Sequence, residues 1–141
     1  EMPCLGYVIL HMGVGDPLRE WSEWRELIEY FCRDGVKLVF TGRGEREKAK
    51  IKELRPSLGV DVCDKLSFHE LVLCVKQAAL VIASDTGIIH IASALQVPSI
   101  VLFPKYINHL QRIQDEKIKK KMALSDSAEM VYKKAHESLN Y

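Results

Sequence analysis

Short apolar runs alternate with amphipathic stretches along the whole of this chain. Tyr7-Val8-Ile9-Leu10-His11 is a buried-strand pattern, closed by the turn-rich loop Met12-Gly13-Val14-Gly15-Asp16-Pro17. From 21 to 34 the apolar positions Trp21, Trp24, Leu27, Ile28 and Phe31 recur every three or four residues, and Gly35 follows as a stop. That spacing predicts an amphipathic helix with both tryptophans in the core. A second strand is expected over 36–40, ending in Thr41-Gly42-Arg43-Gly44, and a charged helix over 45–54 with Ile51 and Leu54 turned inward and Pro56 ending it. Val60-Asp61-Val62 reads as a short third strand. Ser67 and Glu70 then form a capping box for a helix whose buried stripe is Leu71, Val72 and Val75.

The pattern continues with a strand at 79–83, a helix after it, and a fifth strand at 99–103 entered through Val97-Pro98. Beyond Pro104 the sequence turns polar. Lys117, Lys119, Lys120 and Lys121 predict a helical, solvated segment, and 125–139 a closing helix with Ala128, Val131, Tyr132 and Ala135 on one side. Strands alternating with helices at this spacing call for an α/β fold, a parallel sheet covered by helices on both faces.

The junction Ser84-Asp85-Thr86-Gly87-Ile88-Ile89-His90 concentrates the chemistry. It places Thr86 and Gly87 at a helix's first turn, where backbone N–H groups lack intrahelical partners and the helix dipole favours an anion. Gly87 adds no side chain in front of those amides, and Asp85 ends the strand at the sheet edge where open α/β folds bind ligands. His90 follows Thr86 by four residues, which would return it to the face of the anion seat; the alternative is a core-facing imidazole. Gly13-Val14-Gly15 and Gly42-Arg43-Gly44 fit no complete nucleotide-binding fingerprint and read as turns. Both follow strands, so in a parallel sheet they open on the same edge as Asp85. Arg19 is either a phosphate partner or a solvated charge, and Glu45 and Glu47 can simply complement a helix N-terminus. Asp-Thr-Gly is also the signature of aspartic proteases, but those need two such carboxylates on an all-β framework. A helix follows the glycine here and the motif occurs once.

Composition narrows the classes further. The chain has 141 residues, 48% apolar and 28% charged, enough for one domain with its own core. Its formal charge of +1 demands no nucleic-acid partner, and its longest apolar runs are too short to cross a bilayer. Cys4, Cys32, Cys63 and Cys74 are scattered, without metal-ligand spacing, as in a cytoplasmic protein with reduced, packed thiols. The chain begins at Glu1 directly before a strand, which predicts a fragment of something longer.

The order of these features resembles glycosyltransferase family nine, the ADP-heptose:lipopolysaccharide heptosyltransferases. The residues that carry the likeness are His11, Gly13, Arg19, Trp21, Thr41-Gly42, Asp85-Thr86-Gly87, His90, Ala94-Leu95 and Pro98. The resemblance covers about the first three quarters of the chain. It implies the Rossmann-like, C-terminal sugar-nucleotide half of a two-domain GT-B enzyme, with the N-terminal acceptor domain absent.

The resemblance further implies that Thr86 and Gly87 hold the donor diphosphate through backbone amides and that Asp85 receives hydroxyls of the transferred sugar. Arg19 would bind phosphate, with Gly13 and Val14 lying over the same groups. Glu45 or Glu47 would face the ribose, Leu66 would border the base, and His90 is counted with this donor site. The implied reaction is inverting, with no metal and no cofactor. Its base is an aspartate on the other domain, so this domain alone is expected to bind donor without transferring sugar. The implied partners are ADP-heptose and a lipid-linked saccharide acceptor reached through the other domain. Any membrane contact would be peripheral, at the inner face of the bacterial inner membrane. Phe103-Pro104-Lys105-Tyr106 replaces the family's Gly-Pro-Thr, and Met12 replaces a proline. These departures leave two alternatives, a relative using another nucleotide-sugar and a non-catalytic nucleotide-binding or assembly module.

Overall fold

The computed structural model describes residues 6–13, 21–54, 59–84, 86–103, 119–123 and 127–139. Among the described residues, five helices and six strands follow one another: β1 (Val8–His11), α1 (Trp24–Arg33), β2 (Leu38–Thr41), α2 (Glu45–Leu54), β3 (Gly59–Asp61), α3 (Phe68–Lys76), β4 (Leu80–Ser84), α4 (Gly87–Ala94), β5 (Ser99–Phe103), β6 (Lys119–Ala123) and α5 (Ala128–Leu139). The strands form one sheet in the order β3-β2-β1-β4-β5-β6, and every pairing is parallel.

Because successive strand residues face opposite sides, each strand feeds two cores. Val8, Leu10, Leu38, Phe40, Leu80 and Ile82 pack beneath α1, α2 and α5, together with Trp21, Trp24, Leu27, Phe31, Ile51 and Val131. Ile9, Val81, Ala83 and Val101 pack beneath α3 and α4 with Val75, Ile88, Ile89 and Ala92. The expected two-faced α/β sandwich is therefore present.

Local chemistry explains the helix starts. Ser67 accepts the Glu70 amide at 3.1 Å while the Glu70 carboxylate accepts the Ser67 amide at 2.8 Å, the reciprocal capping box expected there. These bonds hold the Glu70 carboxyl below its ordinary pKa. Helix α1 begins at Trp24 rather than at 21. Trp21 stays outside the helix yet buried, edge-on to Trp24 at 5.1 Å between centroids. Glu23, ahead of α1, turns its carboxylate to the first amide of α5, Ala128 N, at 3.3 Å. Asp34 accepts from the Tyr132 hydroxyl, and Tyr30 stacks on the Tyr132 ring at 4.8 Å. The closing helix is thereby fastened along α1.

One expectation is corrected. The lysine-rich segment read as helical contains strand β6, whose Lys119, Lys120 and Lys121 pair in parallel with Ser99, Ile100 and Val101. The segment lacks the alternation that marks a strand locally; its conformation comes from main-chain bonds to the open edge of β5. Lysines are common on such edges because they discourage further pairing.

Candidate functional site

All strands run the same way, so the loops after β1, β2, β3 and β4 meet on one edge of the sheet. The order changes direction between β1 and β4, the switch point at which open α/β sheets form a crevice. A cavity of about 500 Å³ lies at that edge, lined by the ends of these strands and the first turns of the helices behind them. That volume lies in the range of small-molecule sites.

The first wall is the start of α4. Thr86 is the N-cap residue, with extended backbone, but its side chain makes no cap bond. Its hydroxyl donates instead to the Ser84 carbonyl at 3.2 Å. A Cβ placed on Gly87 would meet nothing within 4 Å among the described residues, so Gly87 leaves open space beside this turn. A helix N-terminus without a side-chain cap is suited to an anion. Ile88 and Ile91 of the same helix turn toward the cavity.

The floor and second wall come from β1, β2 and α2. His11 ends β1, and its Nδ1 lies 2.8 Å from Thr41 Oγ1 at the end of β2. Burial pushes the imidazole down to about 4, so the ring is neutral near pH 7. Gly13 packs so closely that a Cβ there would lie 2.4 Å from His11 Nε2 and 3.2 Å from Glu47 Oε1. The Glu47 carboxylate accepts the Arg43 amide at 2.6 Å, and a Cβ on Gly42 would stand only 2.8 Å from it. The two glycines are thus the space in which His11 and Glu47 sit.

The third wall follows β3. Asp64 holds a left-handed backbone at φ 60°, which Asp tolerates better than most residues. Both its carboxylate oxygens lie near the Gly44 amide, at 3.0 and 3.1 Å, and its own amide donates to the Gly42 carbonyl at 3.3 Å. The β3–α3 connection is therefore tied to the β2–α2 loop. Behind it Cys63 is buried; burial, then Asp64, Asp61 and Glu47, raises its thiol. Leu66, Phe68 and Leu71 complete this wall with apolar surface.

Gly13, Glu47, Leu66, Thr86 and Gly87 of the expected site residues line the one cavity. Glu45 opens α2 as an exposed residue and does not line it, so the structure separates the two glutamates. His90 is exposed and is not part of the lining, which excludes the core-facing alternative. The four-residue spacing misleads because Thr86 has extended rather than helical dihedrals. Ile88 and Ile91 mark the cavity face instead. Val14, Arg19 and Asp85 lie outside the described residues.

Sequence reasoning missed Thr41, Asp64 and Phe68 as parts of the wall. Asp64 and Phe68 offer only their position, in the β3–α3 connection and at the first residue of α3, whereas Thr41 ends β2 and is among the residues that carry the family likeness. Among the described residues, no group of three or more His, Cys, Asp or Glu is placed to hold a metal ion. None of the described helices is long and apolar enough to cross a membrane.

An anion seat, a carboxylate shelf and an apolar wall in one crevice suit a ligand with phosphate, hydroxyl-bearing and flat apolar parts. The lipopolysaccharide heptosyltransferase 1 of Salmonella typhimurium is 32% identical over 99 residues, covering 68% of this chain and 31% of the relative. That of Pseudomonas aeruginosa is 33% identical over 108 residues, covering 72% and 29%. The chain therefore aligns with less than a third of the length of these relatives. An E. coli heptosyltransferase structure with ADP-2-deoxy-2-fluoro heptose superposes with a TM-score of 0.80 at 20% identity, over 97% of this chain and 45% of that one. Residues 6–138 match the family described as glycosyltransferase family 9 (heptosyltransferase), and the chain belongs to that family.

Proposed function

We propose that this chain is the donor-binding part of an enzyme that transfers heptose from ADP-heptose to the inner core of lipopolysaccharide. The observation that carries the reading is the uncapped first turn of α4 facing the Glu47 shelf across one crevice, in a chain of this family. The E. coli structure of the same fold was solved with an ADP-heptose analogue, which supports the choice of donor.

The chemistry follows from charge. Breaking the bond between the sugar and the diphosphate develops negative charge on the leaving phosphate and positive charge at the anomeric carbon. The amides of Gly87 and Ile88 are preorganised for the first, with Arg19 as the cation and Val14 over the phosphates, so the leaving group needs no metal. Gly13 keeps the crevice floor open beside them. Glu47, rather than Glu45, accepts ribose hydroxyls, Leu66 borders the base, and Asp85 takes hydroxyls of the transferred sugar. A base must still deprotonate the acceptor hydroxyl in an inverting displacement. It is supplied by an aspartate of a preceding acceptor domain, as is the site for the lipid-linked saccharide. The enzyme works in the cytoplasm, at most touching the membrane's inner face.

Calorimetry with ADP-heptose, ADP and UDP tests the donor, and radiolabel transfer by the complete protein tests the reaction. Binding of ADP-heptose and ADP over UDP is expected, together with loss of transfer in Asp85→Ala while the fold survives. Preference for UDP would instead identify a relative with another nucleotide-sugar. Binding without any transfer by the complete protein would identify a non-catalytic module. Near-normal transfer by Asp85→Ala would sink the assignment of Asp85.

A further inference from the structure

Phe68 is out of place for a purely structural residue. It is the largest apolar side chain at the crevice, and it is 70% exposed. Its neighbours on the same wall, Leu66 and Leu71, are each half-buried, so Phe68 extends an existing apolar surface rather than standing alone. Nothing about its backbone is loose. It is the first helical residue of α3, directly after the Ser67 N-cap, and the reciprocal Ser67–Glu70 bonds fix that turn. The segment before it is anchored as well, because Asp64 accepts the Gly44 amide in the loop that leads into α2, and the Arg43 amide of that loop donates to Glu47 in the first turns of the helix. The aromatic ring is thus held at a set distance from the carboxylate shelf, and the shelf lies across the crevice from the α4 amides.

Because the strand order is β3-β2-β1-β4, the segments after β4, β2 and β3 line the crevice in turn, the first with an anion seat, the second with a hydroxyl acceptor and the third with an exposed apolar wall. A nucleoside diphosphate carries the same three parts in the same order. The wet ring of Phe68 has surface to gain only at the third position, and a planar base covers such a ring face to face. We infer that Phe68 is the stacking platform for the donor's nucleobase, a ligand contact beyond those of Glu47 and the α4 amides. This inference rests on the nucleotide-donor reading above and adds one residue to it. Glu47 holds the ribose next to the base, and Leu66 and Leu71 close its edge.

The test separates base from phosphate. ADP and inorganic pyrophosphate are titrated into the wild-type protein, Phe68→Ala and Phe68→Trp, with circular dichroism confirming the fold. Exposure of the ring makes the alanine variant structurally benign. Stacking of a base on an aromatic side chain predicts about tenfold weaker ADP binding in Phe68→Ala. Pyrophosphate affinity should be unchanged, and Phe68→Trp should hold ADP at least as well as wild type. ADP binding equal in wild type and Phe68→Ala overturns the inference, as does an equal loss of pyrophosphate. Failure of the wild-type protein to bind ADP overturns the nucleotide reading first, and the role of Phe68 with it.

Discussion

At the scale of single residues, His11 is the most informative group in the crevice. Its ring is held against Thr41 in a pocket that resists protonation until about pH 4, whereas an unfolded histidine takes a proton near 6.5. Between those values the unfolded chain binds more protons, so stability falls as pH falls. Above about 6.5 both states are neutral and His11 has no effect on the pH dependence. Urea unfolding from pH 7.5 to 4 should therefore show wild type losing roughly 3 kcal/mol more than His11→Asn, whose amide leaves a polar atom on the Thr41 side. Parallel curves for the two proteins would show that His11 is not held neutral. None of this was visible in the sequence, where His11 and Thr41 stand thirty residues apart and meet only because β1 and β2 pair in register. The two glutamates make the same point. Residues 45 and 47 looked equivalent in a charged run, and the choice between them is made by Gly13 and Gly42, whose missing side chains leave room for Glu47 alone.

At the scale of elements, what was legible depended on whether a segment's own side chains decide its shape. Helix α3 was legible because its start is local chemistry, a serine and a glutamate three residues apart bonding each other's amides. Replacing Ser67 with alanine removes the acceptor for the Glu70 amide and should lower unfolding free energy by about 1 kcal/mol. The Glu70 carboxyl should then titrate closer to its ordinary value, a shift readable by NMR. An unchanged Glu70 titration would mean that the box does not hold that turn in solution. The β4–α4 junction was equally readable, because the buried run of β4 stops where helical spacing begins. Strand β6 was not, since three consecutive lysines carry no period of their own. A neighbouring strand with an open edge decided that segment, and a local pattern holds no record of its neighbour. Val14 and Arg19, expected at the phosphates, and Asp85, expected at the sugar, fall outside the described residues, so the anion seat rests on Thr86, Gly87 and Ile88.

At the scale of the whole molecule, the sheet order does what no single loop can. It brings residues 11, 41, 64 and 86 to one crevice, whose walls rest on α2 from one face of the sheet and α3 and α4 from the other. A nucleotide bound there touches structure on both faces, so its binding free energy should be coupled to melting of the entire sheet. With ADP at 100 times its dissociation constant the native state gains about 2.7 kcal/mol. For a domain of this size that corresponds to a rise of roughly 10 °C in Tm. The chain's two tryptophans make the coupling readable. Trp21 and Trp24 lie in the core beneath α1, on the face opposite α3 and α4, and neither lines the crevice. Their fluorescence melt should shift with ADP as far as the far-UV signal does. A shift in far-UV ellipticity without one in tryptophan fluorescence would mean that the β3–α3 side opens before the tryptophan core melts. In that case the crevice would belong to a separate cooperative unit. Coincident shifts would instead make the sheet a single thermodynamic body, with the crevice held rigid by both cores at once.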